Sequence, residues 1–254
     1  MISNSKSFSI LKQQIQSAID FSVLCCHAMP SLNAYIKAVE KGAVPKLPDA
    51  DHFKGDPNFD QLGGYIPEYR KNLGKLMFIN SFSYFEAYFK SLICEVMEFH
   101  GGQDDFVQQS LMRQHDHLLF ADKEPAKSSA NKLREYSKPS HKQKYAKHTK
   151  KLDHTDFRFP SELFATFGIM ELGSNYRDLK ASQIPYVAKW CFGVDLTEAE
   201  LEQFSTYRNL RNNVVHGKVM IVEFNEANTA NGFFRRLALK IDKHVAKHFF
   251  VIEV

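Results

Sequence analysis

The chain has 254 residues, of which 44% are hydrophobic, with 12 Gly, 9 Pro and a net charge of +4. This length and composition allow a sizeable core and exclude collagen, intrinsic disorder and small disulfide-stapled folds. The longest run without Asp, Glu, Lys or Arg covers residues 21–36 and is broken by His27 and Pro30. It is shorter than the ~20 apolar residues of a bilayer helix, so no membrane span is expected.

Two further features of the sequence indicate the compartment in which the protein is found. The four cysteines show neither a CxxC pair nor a framework spacing, so we expect reduced thiols. The start of the chain lacks the basic residues and apolar block of a secretory signal, so we expect the mature protein to be the whole chain. The sequence therefore predicts a cytoplasmic protein.

Helical periodicity dominates the first part of the chain. Apolar residues recur at three- and four-residue steps from Phe8 to Ile19, which predicts an amphipathic helix that runs to about Pro30 and resumes over residues 35–39. Glycines and prolines between Pro45 and Gly64 predict a long loop. The next helix is predicted from about Pro67 to Phe99, and its many aromatic residues indicate a central position in a bundle.

Positive charge is concentrated in one segment, Ala121–Arg158. It carries eleven Lys or Arg against five Asp or Glu, so the other 216 residues sum to −2. Because the segment is also poor in aliphatic residues and contains two prolines, it is predicted to be a loop-rich insertion within a single domain, residues 1–254. Its charge fits either a solvated linker or an arm that attracts phosphate groups.

The helical pattern returns after this insertion. Thr197 and Glu200 form a capping box, and the helix that follows is predicted to end at Gly217. Residues 218–224 are the only strand-like run, read either as a strand or as a buried connector. The remaining predicted helices cover residues 161–170, 174–192 and 227–250. Four main helices with short accessory helices make an all-α bundle.

One stretch at the end of the capped helix contains candidate catalytic residues. The sequence YRNLRNNVVHGK contains Arg211, Asn212 and, after three further residues, His216. These residues resemble the R-(N/D/H)-x3-to-5-H signature of the HEPN superfamily, small α-helical bundles that include metal-independent ribonucleases of toxin, antiphage and RNA-processing systems. The apolar helix FINSFSYFEAYFKSLI and the terminal helix are also similar to that superfamily, particularly its RiboL-PSP and MAE-type branches. The resemblance implies a HEPN-like fold over the four main helices, with the basic insertion outside it.

The residue types of the motif suit cleavage of RNA by its own 2′-hydroxyl. That reaction needs a base for the hydroxyl proton, an acid for the leaving 5′-oxygen and positive charge near the phosphate. His216 is the candidate acid or base, since a helix C-terminus favours the protonated imidazole. Arg211 offers a planar cationic fork for phosphate. Asn212, four residues before His216, can orient the ring or contact the ribose.

The spacing of the motif raises a geometric question. Arg211 and His216 lie about 140° apart around a regular helix, so either the last turn unwinds or a second copy completes the site. The resemblance implies a homodimer, in which two motifs form one composite site and two histidines serve as base and acid. In the simpler interpretation, Arg211 and Asn212 face solvent and His216 is only a C-cap.

Further substrate contacts are predicted for Arg208, Glu86 and Lys218. Arg208 lies two turns before His216 on its side of the helix, which also suits an ordinary surface arginine. Glu86 belongs to a polar stripe on the apolar second helix, which is either a solvated face or a wall of the active groove.

The sequence thus predicts an RNA endonuclease that acts by metal-independent transesterification. No metal or cofactor is expected, because the pairs His115/His117 and His244/His248 lack further ligands. One alternative is a HEPN-like dimer that binds RNA, a nucleotide or a partner protein without cutting, and another is a structural protein with a coincidental motif. Expected partners are RNA, a second copy and, in a toxin or antiphage setting, an antitoxin or nucleotidyltransferase.

Overall fold

The computed structural model describes residues 4–48, 59–106, 108, 109, 112, 178–219 and 221–251. Within this part of the chain the long elements are four helices, α1 (Lys6–Glu40), α2 (Phe59–Phe99), α3 (Glu198–Val215) and α4 (Phe224–His248), and no strand occurs. The protein is therefore the all-α bundle that the periodicity predicts. The basic segment 121–158, the helix predicted over 161–170 and the His115/His117 pair lie outside the described residues.

Helix α1 begins after Ser5, whose side chain accepts a hydrogen bond of 2.9 Å from the Phe8 N–H. Such an N-cap satisfies one of the backbone donors that a helix start leaves unpaired. The helix then continues through Pro30 to Glu40, so the predicted break at this proline is wrong. Pro30 is exposed and removes only one backbone hydrogen bond from a helix of 35 residues, which the regular turns on both sides tolerate.

Helix α2 begins at Phe59, eight residues before the predicted start at Pro67. The prediction of a loop up to Gly64 is therefore wrong at its end, because Gly63 and Gly64 lie inside the helix. A Cβ atom on either glycine would meet nothing within 4 Å. These two glycines serve no close contact, and each weakens the helix by ~1 kcal/mol relative to alanine.

The core is built from aromatic rings around α2. Phe82 and Phe85 lie 5.4 Å from Phe234 on α4 and 5.8 and 5.9 Å from Phe204 on α3, measured between ring centroids. All four rings are buried. Offset and edge-to-face contacts of this kind add to the free energy of burying the rings. Helix α2 therefore occupies the centre of the bundle, as predicted.

Two carboxylates hold the start of α1. Asp242 on α4 accepts hydrogen bonds from the N–H and the hydroxyl of Ser5, and Glu95 on α2 accepts from the N–H groups of Lys6 and Ser7 at 2.7 and 2.8 Å. Burial raises the pKa of Asp242, and its hydrogen bonds with Ser5 only partly oppose this. Negative charge at a helix N-terminus is favourable, so the two carboxylates join α1 to both α2 and α4.

The connector from α3 to α4 touches α2 at Gly74. A Cβ atom on Gly74 would lie 2.3 Å from the carbonyl oxygen of Val222, a residue that is fully buried. Only glycine permits so close an approach of two backbones. The strand-like run 218–224 is therefore a connector whose described residues form no strand before α4 begins at Phe224, and among them only Val222 is buried.

The region predicted as helix over 174–192 is described from residue 178. It contains three short turns, a 3-10 turn at Ala181–Gln183, an α turn at Ile184–Tyr186 and a π turn at Val187–Cys191. The His244 ring on α4 lies 2.7 Å from the Phe192 carbonyl oxygen, which joins this region to the bundle. Among the described helices, none combines the length and apolar character needed to cross a bilayer.

Candidate active site

Helix α3 starts with the predicted capping box. The Glu200 N–H donates to the Thr197 hydroxyl at 3.2 Å, and the Thr197 N–H donates to the Glu200 carboxylate at 2.8 Å. Lys240 on α4 donates to the same carboxylate at 2.8 Å. Burial by itself would raise the pKa of Glu200, but the hydrogen bonds with Lys240 and Thr197 outweigh burial and lower it. This cluster fixes α3 against α4.

The other end of α3 is a Schellman motif, in which a glycine at positive φ closes the helix. Gly217 has φ of 69° and follows His216, the C-cap residue. The closing hydrogen bonds run from the N–H groups of His216, Gly217 and Lys218 to the carbonyls of Asn212, Val214 and Asn213, at 2.9, 3.1 and 2.8 Å. The helix is therefore regular up to Val215, and its last turn does not unwind.

The Arg211 side chain is held between two neighbours. Its guanidinium carbon lies 5.8 Å from the centroid of the Phe82 ring, within the range of a cation–π contact. Its Nη1 donates to the Asn212 side-chain oxygen at 3.2 Å. Its Nε is buried and has no hydrogen-bond partner among the described residues. A buried donor without a partner is unfavourable.

The His216 side chain has a different environment. It is exposed and makes no hydrogen bond with any described residue. Because α3 is regular, about 140° around the helix axis separates it from Arg211. The Asn212 side-chain oxygen accepts from Arg211, so in this chain the amide orients the guanidinium. A single copy therefore does not bring Arg211 and His216 to one side of the helix.

Arg208 lies near Arg211 on the same helix. A three-residue step separates them by about 60° around the axis, so the two guanidiniums share a face. Arg208 is half-buried, and its Nη2 donates to the side chain of Asn209 at 3.0 Å. In both Arg-Asn pairs the asparagine that follows accepts from the arginine. The two arginines therefore give this face of α3 its positive charge.

The other two predicted site residues, Glu86 and Lys218, differ in their burial and position. Glu86 is half-buried one turn along α2 from Phe82, the residue whose ring lies under Arg211, and it forms no ion pair with a described residue. Lys218 is exposed directly after the Schellman glycine. The structure also adds two residues that sequence reasoning missed as parts of the site. Phe82 supports Arg211, and Gly74 positions the connector. Neither role leaves a signal in the sequence, because the first depends on how α2 packs against α3 and the second on how α2 packs against the connector.

The structure offers no metal centre in its described part. No group of three or more His, Cys, Asp or Glu side chains comes together there. The His244 and His248 rings contact each other with centroids 4.6 Å apart, and their surroundings include Phe249.

Fold and motif together define a helical bundle of the HEPN type. A family model described as RiboL-PSP-HEPN matches residues 51–247, and the chain belongs to this family. The matched range begins after α1 and covers α2, α3 and all but the last residue of α4. Comparison with curated proteins and with solved structures gives no match.

Proposed function

We propose that this HEPN protein is a metal-independent endoribonuclease. The observation that carries the proposal is the state of Arg211. Phe82 supports its guanidinium, Asn212 orients it, and its buried Nε–H has no partner among the described residues. The planar guanidinium of arginine suits contact with two phosphate oxygens at once.

In the proposed reaction, the 2′-oxygen of the RNA attacks the adjacent phosphorus. The new bond joins the 2′-oxygen to phosphorus, and the bond from phosphorus to the 5′-oxygen breaks. One His216 imidazole accepts the proton of the 2′-hydroxyl, and the His216 imidazolium of a second copy gives a proton to the leaving 5′-oxygen. Arg211 stabilises the charge that develops on the other phosphate oxygens. The products are a 2′,3′-cyclic phosphate, which water can open, and a 5′-hydroxyl.

The need for a second copy follows from the regular end of α3. Arg211 and His216 face different directions in one chain, and His216 is exposed to whatever lies beside it. A twofold arrangement of two copies places one motif opposite the other, which supplies both a base and an acid. Arg208 and Lys218 then add positive charge along the RNA backbone, and Glu86 lines the groove beside Phe82.

The proposed setting is a toxin or antiphage system, in which an antitoxin or a nucleotidyltransferase restrains the nuclease. This setting rests on the resemblance of the motif to HEPN ribonucleases of toxin and antiphage systems, whereas the family match supports a HEPN-type function in general. RNA is the proposed substrate because the reaction uses the 2′-hydroxyl as its nucleophile.

The direct test is His216→Ala. It is expected to abolish cleavage of labelled single-stranded RNA in the presence of EDTA. The fold should remain, because the imidazole is exposed and the helix end is closed by backbone hydrogen bonds. His27→Ala, another exposed helix histidine, is the matched control and should cleave normally. If the His216→Ala variant cleaves RNA at the wild-type rate, the proposed mechanism is wrong.

A second candidate function is RNA binding without cleavage. The separation of Arg211 from His216 favours it, because one copy can hold a phosphate at Arg211 without placing an acid or base beside it. This function is selected over cleavage if the wild-type chain retains RNA but forms no cleavage product in the presence of EDTA. Arg211→Ala should then weaken RNA retention while His216→Ala leaves it nearly unchanged.

A further inference from the structure

A cavity lies between the start of α1 and helix α4. Its volume is about 550 Å³, and sites for small molecules usually have volumes of about 300–1,000 Å³. Both helices supply its lining, which consists of Asn4, Phe8, Leu11, Lys12, Ile15, Gly232, Arg235, Arg236, Leu239 and Lys243. No residue of the candidate active site is among these lining residues, so the cavity is a separate feature of the bundle.

The apolar part of the lining comes from both helices. On α1, Phe8, Leu11 and Ile15 follow one another at steps of three and four residues, so their side chains share one face of the helix. All three belong to the hydrophobic core, and Leu239 of α4 packs against that core. The core therefore reaches the wall of the cavity, and a hydrocarbon ligand that replaced water on this wall would gain free energy.

Four cationic side chains line the same cavity. The Nζ atom of Lys12 lies 5.5 Å from the centroid of the Phe8 ring, which places one positive charge beside the apolar wall. Arg235, Arg236 and Lys243 on α4 are exposed and form no hydrogen bond or ion pair with a described residue. Within the described part of the chain, therefore, no carboxylate directly pairs with these three charges.

A glycine makes room for one of these cations. A Cβ atom at Gly232 would lie 3.3 Å from Nη1 of Arg236, which is closer than an ordinary contact. The guanidinium therefore lies against the α4 backbone, in the space that a side chain at position 232 would need. This position keeps the positive charge at the wall of the cavity.

The lining has a net positive charge. No Asp or Glu is among the described residues that line the cavity. Asp242 precedes Lys243 in the chain, but its buried carboxylate accepts hydrogen bonds from the N–H and the hydroxyl of Ser5. An anionic group is therefore the complement that the cavity lacks.

The lining also restricts the body of a ligand. Apart from the four cations, Asn4 is the only described lining residue with a polar side chain. A nucleobase or a sugar in the cavity would leave hydrogen-bonding groups unpaired, which is unfavourable. A bare phosphate would use the cations but leave the apolar wall uncovered. A hydrocarbon body with an anionic group uses both parts of the lining.

We propose that the cavity between α1 and α4 binds a small organic anion with a hydrocarbon body, such as an alkyl or aryl carboxylate. The hydrocarbon lies on Phe8, Leu11 and Leu239, and the anionic group contacts Arg236 and Lys243. The cavity is distinct from the site of the proposed nuclease, and binding is expected whether or not the protein cleaves RNA.

The first test measures whether the cavity requires a negative charge on its ligand. The probe is anilinonaphthalene sulfonate, whose fluorescence increases in apolar surroundings, titrated into the full chain. Phenylnaphthylamine, which has the same aromatic body without the sulfonate, is the matched neutral probe. One site per chain is expected, with the sulfonate bound at least about tenfold more tightly than the amine. Equal affinities, or no binding of the sulfonate, overturn the proposal.

The second test compares Lys243→Gln with Lys247→Gln. Both are exposed lysines on α4, one turn apart, but only Lys243 lines the cavity. Each substitution removes one positive charge, so general attraction of the sulfonate changes equally. Lys243→Gln should weaken binding about two- to fivefold, as expected for one exposed ion pair, and Lys247→Gln should not. Equal effects of the two substitutions overturn the proposal.

The third test fills the cavity without weakening the fold. Gly232→Leu places a side chain in the cavity, and the group it displaces is the flexible end of Arg236. Because leucine favours a helix more than glycine does, the midpoint of urea unfolding should not fall, while the sulfonate should bind at least about tenfold more weakly. Gly63→Leu, at an open position outside the cavity, is the control and should bind normally. Unchanged binding by Gly232→Leu contradicts the proposal.

The fourth test identifies the class of ligand by competition. Octanoate, which joins a carboxylate to an alkyl chain, should displace the bound sulfonate, whereas acetate at the same concentration should not. Uridine monophosphate and single-stranded RNA should leave the probe in place. Displacement by either of them would assign the cations to nucleotide or RNA binding, and octanoate that competes no better than acetate would show that the apolar wall takes no part. Each of these results overturns the proposal.

Discussion

The guanidinium of Arg211 lies over the ring of Phe82, with 5.8 Å between the guanidinium carbon and the ring centroid. Phe82 is completely buried in the aromatic core, so the motif arginine on α3 is held by the central helix α2. The motif histidine, at the C-cap of α3, has no such support. One half of the motif is therefore fixed by the core, and the other half is exposed at the end of the helix.

Arg211→Lys tests the planar fork of this arginine. Lysine keeps the charge but loses the stacking on Phe82 and the two-pronged contact with phosphate. We expect RNA cleavage to fall about 10- to 100-fold with little change in stability, because each factor of ten corresponds to ~1.4 kcal/mol of transition-state stabilisation. The measurement is single-turnover cleavage. Arg70→Lys removes an exposed arginine that lies 5.9 Å over Tyr69 and should leave cleavage unchanged.

The composite site makes a prediction about mixtures. If one site needs His216 from both copies, a dimer of one wild-type chain and one His216→Ala chain is inactive. Activity should then fall as the square of the wild-type fraction, so that an equal mixture keeps about a quarter of the activity rather than half. Cleavage is measured after the two proteins have exchanged subunits. A linear dependence would show that each chain holds a complete site.

Gly74→Ala tests the contact between α2 and the α3–α4 connector. The added Cβ atom would lie 2.3 Å from the Val222 carbonyl oxygen, and backbone has to move to relieve the overlap. Overpacking of this kind should lower the free energy of unfolding by about 1–3 kcal/mol. The measurement is the midpoint of urea unfolding.

Gly63→Ala is the matched control for that substitution on the same helix. A Cβ atom at Gly63 meets nothing within 4 Å, so alanine should stabilise the helix by up to about 1 kcal/mol. Equal effects of the two substitutions would mean that Gly74 is not a contact point.

Glu200→Gln tests the ion pair between α3 and α4. Glutamine preserves the capping box with Thr197 but removes the charge that attracts Lys240. The pKa of Glu200 is lowered from its ordinary 4.5, so the carboxylate stabilises the fold above that pH, and this stabilisation is lost as the pH falls through the lowered pKa. We expect the variant to lose up to about 1 kcal/mol near pH 7, discounted because the pair is partly exposed, and nothing once the carboxylate is protonated.

The check is urea unfolding of wild type and Glu200→Gln at neutral pH and at about pH 3. Glu202→Gln, an exposed glutamate on the same helix without an ion pair to a described residue, should show no such difference. A constant gap between wild type and Glu200→Gln at both pH values would assign its effect to the cap and not to the charge.

The sequence predicted those features that depend on neighbouring residues. The capping box at Thr197, the glycine that closes α3 and the amphipathic start of α1 are set by contacts within a few positions along the chain. The predicted helix break at Pro30 and the predicted loop up to Gly64 were wrong. Long helices continue through these residues, although proline and glycine usually interrupt helices. A single lost hydrogen bond or an added glycine is a small penalty that the rest of a long helix absorbs.

By itself, then, the sequence determined an all-α bundle and the position of a HEPN motif at a helix end. Only the tertiary structure decided that Arg211 lies over Phe82, that Gly74 admits the connector, and that Phe21 and Leu24 of α1 stay exposed. Helix periodicity shows that a face is apolar but not which other helix meets it. That depends on contacts between residues far apart in the chain, which the order of residues within one helix does not specify.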